Sequence, residues 1–346
     1  MTRRDLVELF VDAVLVAVVA VLHFTGVEPV VTFIAAAIAI AALARLVGTA
    51  TEQLGSRLGS AGAGAVQSAL GNLPELFIAL FALNDGLIAV VQGALVGSVL
   101  ANSLLVLGLA FTVGGLANGV QHFETSRTRL IATLTLLAAS TMALPTLANA
   151  FHAPAAGHEQ TLSLICAGVL LVVFVVTLPG LLGRMREEVH EPPRWPFPVT
   201  ATVLAGAGVG AALVSDWFVT ALQPAIETLH MSQDFAGLVV VAIAGNAVEN
   251  VIGVQLAKRN RPDFAIAVIL NSSLQVALVL TPVLVFASLF FATSLTLVFP
   301  TLFAFSLLLA AIIGALVVYD GESTWYEGVV LVGLYVVIAA SFWWGA

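Results

Sequence analysis

Gly71-Asn72-Leu73-Pro74-Glu75 lies inside an apolar run at 62–83. It returns 174 residues later, inside a second apolar run at 235–257, as Gly245-Asn246-Ala247-Val248-Glu249. At the same offset Ser98 falls on Ser272, and Asn102 lies one position past the match of Gln275. Two polar clusters therefore share one ungapped spacing, in stretches that are otherwise apolar. Self-similarity at a fixed offset marks a duplicated unit.

The surroundings of the two strings place them in a membrane. Of the 346 residues 60% are hydrophobic and 9% are charged, with a mean hydropathy of +1.08. A soluble domain carries about 25% charged residues, so this chain cannot cover a water-facing surface, but it can face lipid. The apolar runs are about 20 residues long, enough to cross a hydrocarbon core of about 30 Å as helices. Barrel strands would alternate polar and apolar in segments of about 10 residues. The pattern predicts an all-α polytopic membrane protein with about eleven spans, at 6–24, 30–50, 62–83, 87–115, 129–149, 161–182, 198–220, 235–257, 263–290, 295–318 and 326–344. The N-terminal run resembles a signal peptide, but no small-residue cleavage pattern follows it and Asp12 interrupts it. It is read as a retained first span.

Charge placement orients the helices. With eleven spans, all twelve lysines and arginines, from Arg3 and Arg4 to Arg259 and Arg261, fall on one side or at helix ends nearest it. The positive-inside rule makes that side cytoplasmic, with the N-terminus inside and the C-terminus outside. Residues 184–198 hold four prolines and alternating charges and read as a cytoplasmic linker. The expected organisation is an N-terminal helix at 1–27, a five-helix repeat at 28–183, the linker, and a second five-helix repeat at 199–346. Five spans separate the two copies of the string, so they cross the membrane in opposite directions. Inverted repeats of this kind mark secondary transporters, whose ion sites lie near the midplane where the repeats meet.

Glu75 and Glu249 both fall mid-span, where a carboxylate costs on the order of 2.5–3.5 kcal/mol on insertion scales. Asn72 shares a helical face with Glu75, and Asn246 with Glu249, at a spacing of three. Ser98 with Asn102, and Ser272 with Gln275, repeat the arrangement on the following helices. Pro74 removes an N–H and clashes with the carbonyl of Leu70, so a kink is expected there, loosened further by Gly71. Ligands made only of oxygen suit a hard cation such as calcium. Two carboxylates balance one divalent ion, and two protons can replace it. Such competition requires the carboxyls to titrate nearer neutrality than the reference of about 4.3, and desolvation and a neighbouring carboxylate act in that direction.

Other features carry less. Cys166, the single cysteine, reads as apolar filler and excludes an intrachain disulfide. Gly93/Gly97 and Gly206/Gly210 have the spacing of close helix packing. The histidines show no metal-ligand spacing, and no basic stripe points to nucleic acid. Glu52 and Glu227 lie near span ends. A zinc protease would need His-Glu-x-x-His, which is absent, and a diaspartyl protease would need two mid-membrane aspartates.

These motifs give the chain a resemblance to the calcium/proton exchanger branch of the calcium/cation antiporter superfamily. Gly71–Leu83 resembles the family's first GNxxE helix and Gly97–Leu109 the helix after it. Val240–Glu249 and Ser272–Val283 resemble the paired elements of the second half, and Thr49–Leu54 and Ser323–Gly328 also match the family style. The resemblance implies eleven helices, with Glu75 and Glu249 binding calcium and protons alternately and Asn72, Asn246, Ser98, Asn102, Ser272 and Gln275 shaping the site. It implies no cofactor, and places Glu52 near a cytoplasmic entrance. Asn271 stands where the family usually has glycine, and Asn250 where many relatives carry histidine. The acidic run some relatives place between the halves is reduced to Glu187, Glu188 and Glu191. The function expected is exchange of cytoplasmic calcium, or a similar divalent cation, for protons by alternating access in a prokaryotic plasma membrane. The partners are the two ions and the bilayer. A sodium/calcium exchanger of the same fold, or a passive cation channel, is the alternative.

Overall fold

The computed structural model describes residues 1–57, 70–183 and 193–344. The expected start of the third span at 62–69, and residues 184–192 of the linker with its three glutamates, lie outside the described residues. Among the described residues, seven helices are long and apolar enough to span a hydrocarbon core. These are α1 (Arg3–Thr25) and α2 (Pro29–Gly55), α4 (Ile88–Asn118), α5 (Thr125–Ala150), α6 (Glu159–Gly183) and α7 (Phe197–Leu229), and α10 (Pro262–Phe290). A further span is broken: α8 (Gln233–Gly245) and α9 (Ala247–Lys258) meet at 64°. Three apolar helices are shorter: α3 (Leu73–Asn84), α11 (Thr301–Val317) and α12 (Trp325–Ser341). Two short strands, β1 (Gln121–His122) and β2 (Glu322–Ser323), pair antiparallel, with Gln121 opposite Ser323.

The helix starts follow local chemistry. Thr2 caps α1 through its hydroxyl, which accepts from Asp5 N at 3.2 Å, while Thr2 N donates to Asp5 Oδ2 at 2.6 Å. Thr324 and Glu327 build the same reciprocal cap on α12. Each cap satisfies orphan N–H groups of the first turn. Within the spans, most threonine hydroxyls donate to the carbonyl four residues back, as Thr49, Thr112 and Thr135 do. That is the local solution for a hydroxyl with no water at hand.

The chain folds as two compact units. The first comprises Met1–Asp85, Val175–Met231 and Ala244–Val248. In it α2 and α7 run antiparallel: Phe33 stacks on Phe218 with ring centroids 4.8 Å apart, and ten residues on, Leu43 meets Gly210. Arg45 joins α2 to α1, pairing with Glu8 and reaching Asp12 Oδ1 at 3.3 Å. An arginine this far inside an apolar helix needs such acidic partners.

The second unit comprises Gly86–Phe174, Ser232–Ile243 and Glu249–Ala346. In it α4 and α8 touch backbone to backbone. A Cβ added to Gly97 would lie 2.2 Å from the Leu238 carbonyl oxygen, and one added to Gly237 would lie 2.3 Å from that of Val90. Gly93 packs the same way, as its spacing predicts. The reading of Gly206/Gly210 as a packing pair fails at Gly206, whose added Cβ meets nothing within 4 Å. Three spans carry a π-helical segment, at Ala101–Val106, Ala236–Val241 and Val276–Leu280. The first and third overlap under the 174-residue offset.

Among the described residues, one loop of this unit is held by side chains. Gln92 Nε2 donates to the carbonyls of Thr296 and Val298, both at 3.0 Å. Thr146 Oγ1 donates to Leu297 O at 3.0 Å and accepts from Phe299 N at 2.9 Å. Ser163 accepts from Leu297 N and Ser288 from Leu295 N. Residues 295–299 thus run extended with no strand beside them, their buried backbone groups satisfied by four helices. Thr146→Val keeps the shape and removes both bonds, so it is expected to lower stability by about 1–3 kcal/mol, read as a lower unfolding temperature of the detergent-purified protein.

Candidate functional site

Both glutamates stand in the first turn of a short helix that follows a break. Before α3 the chain turns at Gly71-Asn72, Asn72 occupies the N-cap position, and Pro74 and Glu75 lie in the first turn. Proline is tolerated there because its missing N–H has no intrahelical partner anyway. The kink expected at Leu70 therefore appears as a break at Gly71-Asn72. The second copy breaks at Asn246 with no proline near it, and Glu249 lies in the first turn of α9. A helix N-terminus offers unpaired N–H groups and the positive end of the dipole, which favour an acidic side chain.

In the first unit the two motifs meet. Asn246 Nδ2 donates to Glu75 Oε1 at 2.5 Å, with Glu75 7% and Asn246 1% exposed. The sequence spacing pairs Asn72 with Glu75 and Asn246 with Glu249. The structure brings the amide of the second motif to the carboxylate of the first, which a break at Asn246 makes possible. Gly245 makes the approach possible: a Cβ there would lie 2.4 Å from Glu75 Cγ. Its counterpart Gly71 lies in the break of the first motif.

The second unit gathers the remaining polar residues where α4 and α10 cross. Asn102 Nδ2 donates to Ser272 Oγ at 3.1 Å, both side chains buried. Ser103 and Ser273, buried beside them, bring their hydroxyls to 3.4 Å. Ser98 is buried one turn before Asn102. Gln275 is half-buried, as are Asn72 and Glu249. Asn102 Oδ1 is enclosed with no hydrogen-bond partner among the described residues. Sequence reasoning singled out Asn102 and Ser272 but not their neighbours Ser103 and Ser273. The doublets Asn102-Ser103 and Ser272-Ser273 were the available signal. One π-helical segment, Ala101–Val106, contains Asn102 and Ser103, and another, Val276–Leu280, begins three residues after Ser273; such segments recur at functional sites.

The donor set is thus carboxylate, amide and hydroxyl oxygen. Among the described residues no group of three or more His, Cys, Asp or Glu side chains forms a metal cluster. Neutral oxygens supplement the acids, as suits a hard cation.

Residues 28–182 and 199–344 match the family model described as sodium/calcium exchanger protein. The chain belongs to this family, on its calcium/proton exchanger branch. It is 34% identical over 321 residues to the Ca(2+)/H(+) antiporter ChaA of Bacillus subtilis, spanning 90% of this chain and 92% of that one. It is 32% identical over 351 residues to a Ca(2+)/H(+) antiporter of Synechocystis, spanning 92% of each. Among solved structures it superposes on native YfkE with a TM-score of 0.83 at 31% identity, covering 97% of this chain and 99% of that chain. The H+/Ca2+ exchanger CAX shares the fold, with a TM-score of 0.74 at 15% identity over 99% of this chain and 92% of that chain. The chain is an integral membrane protein of the transporter fold these structures share.

Gly245→Ala forces the Glu75 side chain aside and is expected to cost about 1–3 kcal/mol as overpacking. Gly206→Ala on the open face of α7 serves as control, and thermal unfolding of the two variants in detergent measures the difference.

Proposed function

We propose that the protein exchanges cytoplasmic calcium, or a similar divalent cation, for protons by alternating access, with Glu75 and Glu249 binding cation or protons in turn. The observation that carries this reading is the Glu75–Asn246 hydrogen bond. The two copies of the motif contribute to a single polar pair, which a merely structural glutamate would not require. The calcium/proton antiporters among the relatives fit the same chemistry.

Charge balance supplies the coupling. Two carboxylates neutralise one divalent cation or hold two protons, whereas ionised and empty they are costly inside a membrane. An empty, charged site is therefore the state the cycle avoids, and each ion leaves only as the other arrives. Asn72, Asn246, Ser98, Asn102, Ser272 and Gln275 supply neutral oxygens, so that calcium completes a shell of 6–8 ligands without further charge.

The eleven-span count is supported by the seven long helices, the broken pair and the three shorter helices taken together. Inversion is supported by α2 and the 203–229 part of α7, which correspond under the offset and run antiparallel in the first unit. The overlapping π-helical segments at 101–106 and 276–280 support the duplication itself. The N-terminus is placed in the cytoplasm by the positive-inside rule, and the bacterial relatives support a plasma-membrane location.

Proteoliposomes loaded with acid and diluted into alkaline calcium solution test the reading. Wild type is expected to accumulate calcium only with the gradient. Glu75→Gln and Glu249→Gln each fall by about 100-fold or more, since losing one charge of the pair removes both the ligand and the proton site. Uptake that follows a sodium gradient instead assigns the sodium/calcium reading. Uptake that ignores both gradients assigns a channel.

A further inference from the structure

The helix that carries Glu249 is gripped at its far end. α9 closes with a turn of its own: Asn260 N donates to Ala257 O and Arg261 N to Leu256 O, both at 3.0 Å, and Asn260 is left-handed at a φ of 57°. This is the usual way for a helix to satisfy its last carbonyls. Ala257 O nevertheless accepts twice more, from Gln121 Nε2 at 2.9 Å and from Asn118 Nδ2 at 3.3 Å. Asn118 Nδ2 also donates to Lys258 O at 3.2 Å, and Gln121 Nε2 to Asn260 Oδ1 at 3.0 Å. The Ala257 carbonyl has a backbone partner without them, so these bonds tie α9 to its neighbours rather than complete its cap.

The donors are themselves held. Asn118 ends α4 and donates back to Gly114 O at 3.1 Å. Gln121 stands in β1 opposite Ser323 of β2, and is 2% exposed. Its amide lies against Gly114, where an added Cβ would come within 2.1 Å of Gln121 Oε1 and 3.1 Å of Ala257 Cβ. Glycine at 114 therefore admits both the amide and α9. On α9 the buried residues are Gly253 and Ala257, four apart on one stripe. Gly253 faces α10, since an added Cβ would meet Ile269 Cγ1 at 2.6 Å. Glu249 continues that stripe, about 12 Å along the axis from Ala257. The break at Asn246 means that α8 does not fix the roll of α9; the seating of this stripe does. At the 174-residue offset from Asn118 and Gln121 stand Ala292 and Leu295, whose side chains have no donor. The clamp has no counterpart at the matched positions.

We propose that Gln121, with Asn118 beside it, is a positioning residue for Glu249: by pinning the C-terminal end of α9 it sets where the Glu249 carboxyl stands for the cation. The proposal rests on the exchanger reading and deepens it. Gln121 acts through the helix and touches neither ion. A binding group must be held within about 0.5 Å of its productive place, and partners behind metal ligands are worth about 10–100-fold in affinity. Because the matched positions lack donors, this control acts on one carboxyl of the pair.

The test measures proton-driven calcium uptake, calorimetric calcium binding and thermal unfolding on wild type, Gln121→Met, Gly114→Ala and Thr324→Ala. Gln121→Met keeps the length of the side chain and removes its donor. Gly114→Ala keeps Gln121 and pushes its amide off α9. Thr324→Ala removes the hydroxyl that caps α12 and leaves α9 untouched, so it controls for lost stability. The expected result for Gln121→Met and Gly114→Ala is a calcium KM and Kd raised by about tenfold. Their maximal rate per folded transporter stays within about twofold of wild type, the signature of lost ground-state binding. Thr324→Ala unfolds at a lower temperature with KM and Kd unchanged. A Gln121→Met variant that loses stability or maximal rate while KM and Kd stay at wild type overturns the proposal, since Gln121 is then structural only. So does an equal rise of KM in Thr324→Ala. If Gln121→Met does not fold, Asn118→Ala, which removes the other donor, is read the same way. Wild type that neither binds calcium nor takes it up overturns the exchanger reading and the proposal with it, an outcome distinct from failure of the variants alone.

Discussion

A polar group inside a hydrocarbon layer has no water to turn to, and each feature of this molecule that departs from a plain helix answers that constraint. A carboxylate at Glu75 is tolerable only with a donor beside it. One donor is the Asn246 amide, which reaches it because the helix carrying Asn246 is broken there and because Gly245 has no side chain. The break in turn exposes backbone N–H groups, and the first turn of α9 places Glu249 among them. Elsewhere the constraint is met differently. Arg45 collects two acids, most helical threonines turn back on their own carbonyls, and residues 295–299 borrow the side chains of Gln92, Thr146, Ser163 and Ser288.

The same constraint separates what was legible in the sequence from what was not. The membrane class and the helical class follow from composition, and the repeated string singles out Glu75 and Glu249 as candidates, because burial of charge is costly enough to be noticed without coordinates. The reach of the Asn246 amide to Glu75 was not legible. Spacing of three puts Asn72 and Glu75 on one face, but contact between the two motifs depends on a break in the helix at Asn246, which spacing alone does not reveal. Pro74 announced the first break, although it falls at Gly71-Asn72. Nothing comparable announced the second, where no proline is present. Gly97 and Gly237 were found and missed respectively for a related reason: Gly93/Gly97 forms a spaced pair on one helix, whereas the glycine that faces them stands alone.

A duplicated fold need not keep duplicated chemistry. The two halves share glycine, asparagine and glutamate at matched positions, which fits a divalent cation alternating with two protons. They differ around that common set. Ser103 has Ala277 as its counterpart, Ser273 has Val99, and Asn250 has Leu76. On the proposed exchange, the shared residues would carry the charge balance that couples the ions, and the unshared ones would be free to differ.

The central claim is that calcium and protons compete for the same pair of carboxylates. It is tested most directly by counting protons released when calcium binds the purified protein in weakly buffered solution at neutral pH. The account predicts release of up to about two protons per calcium bound, with release and calcium binding lost together when Glu75 and Glu249 are both replaced by glutamine. Calcium binding that releases no protons at any pH between about 5 and 8, the range in which the site must exchange them, would contradict it.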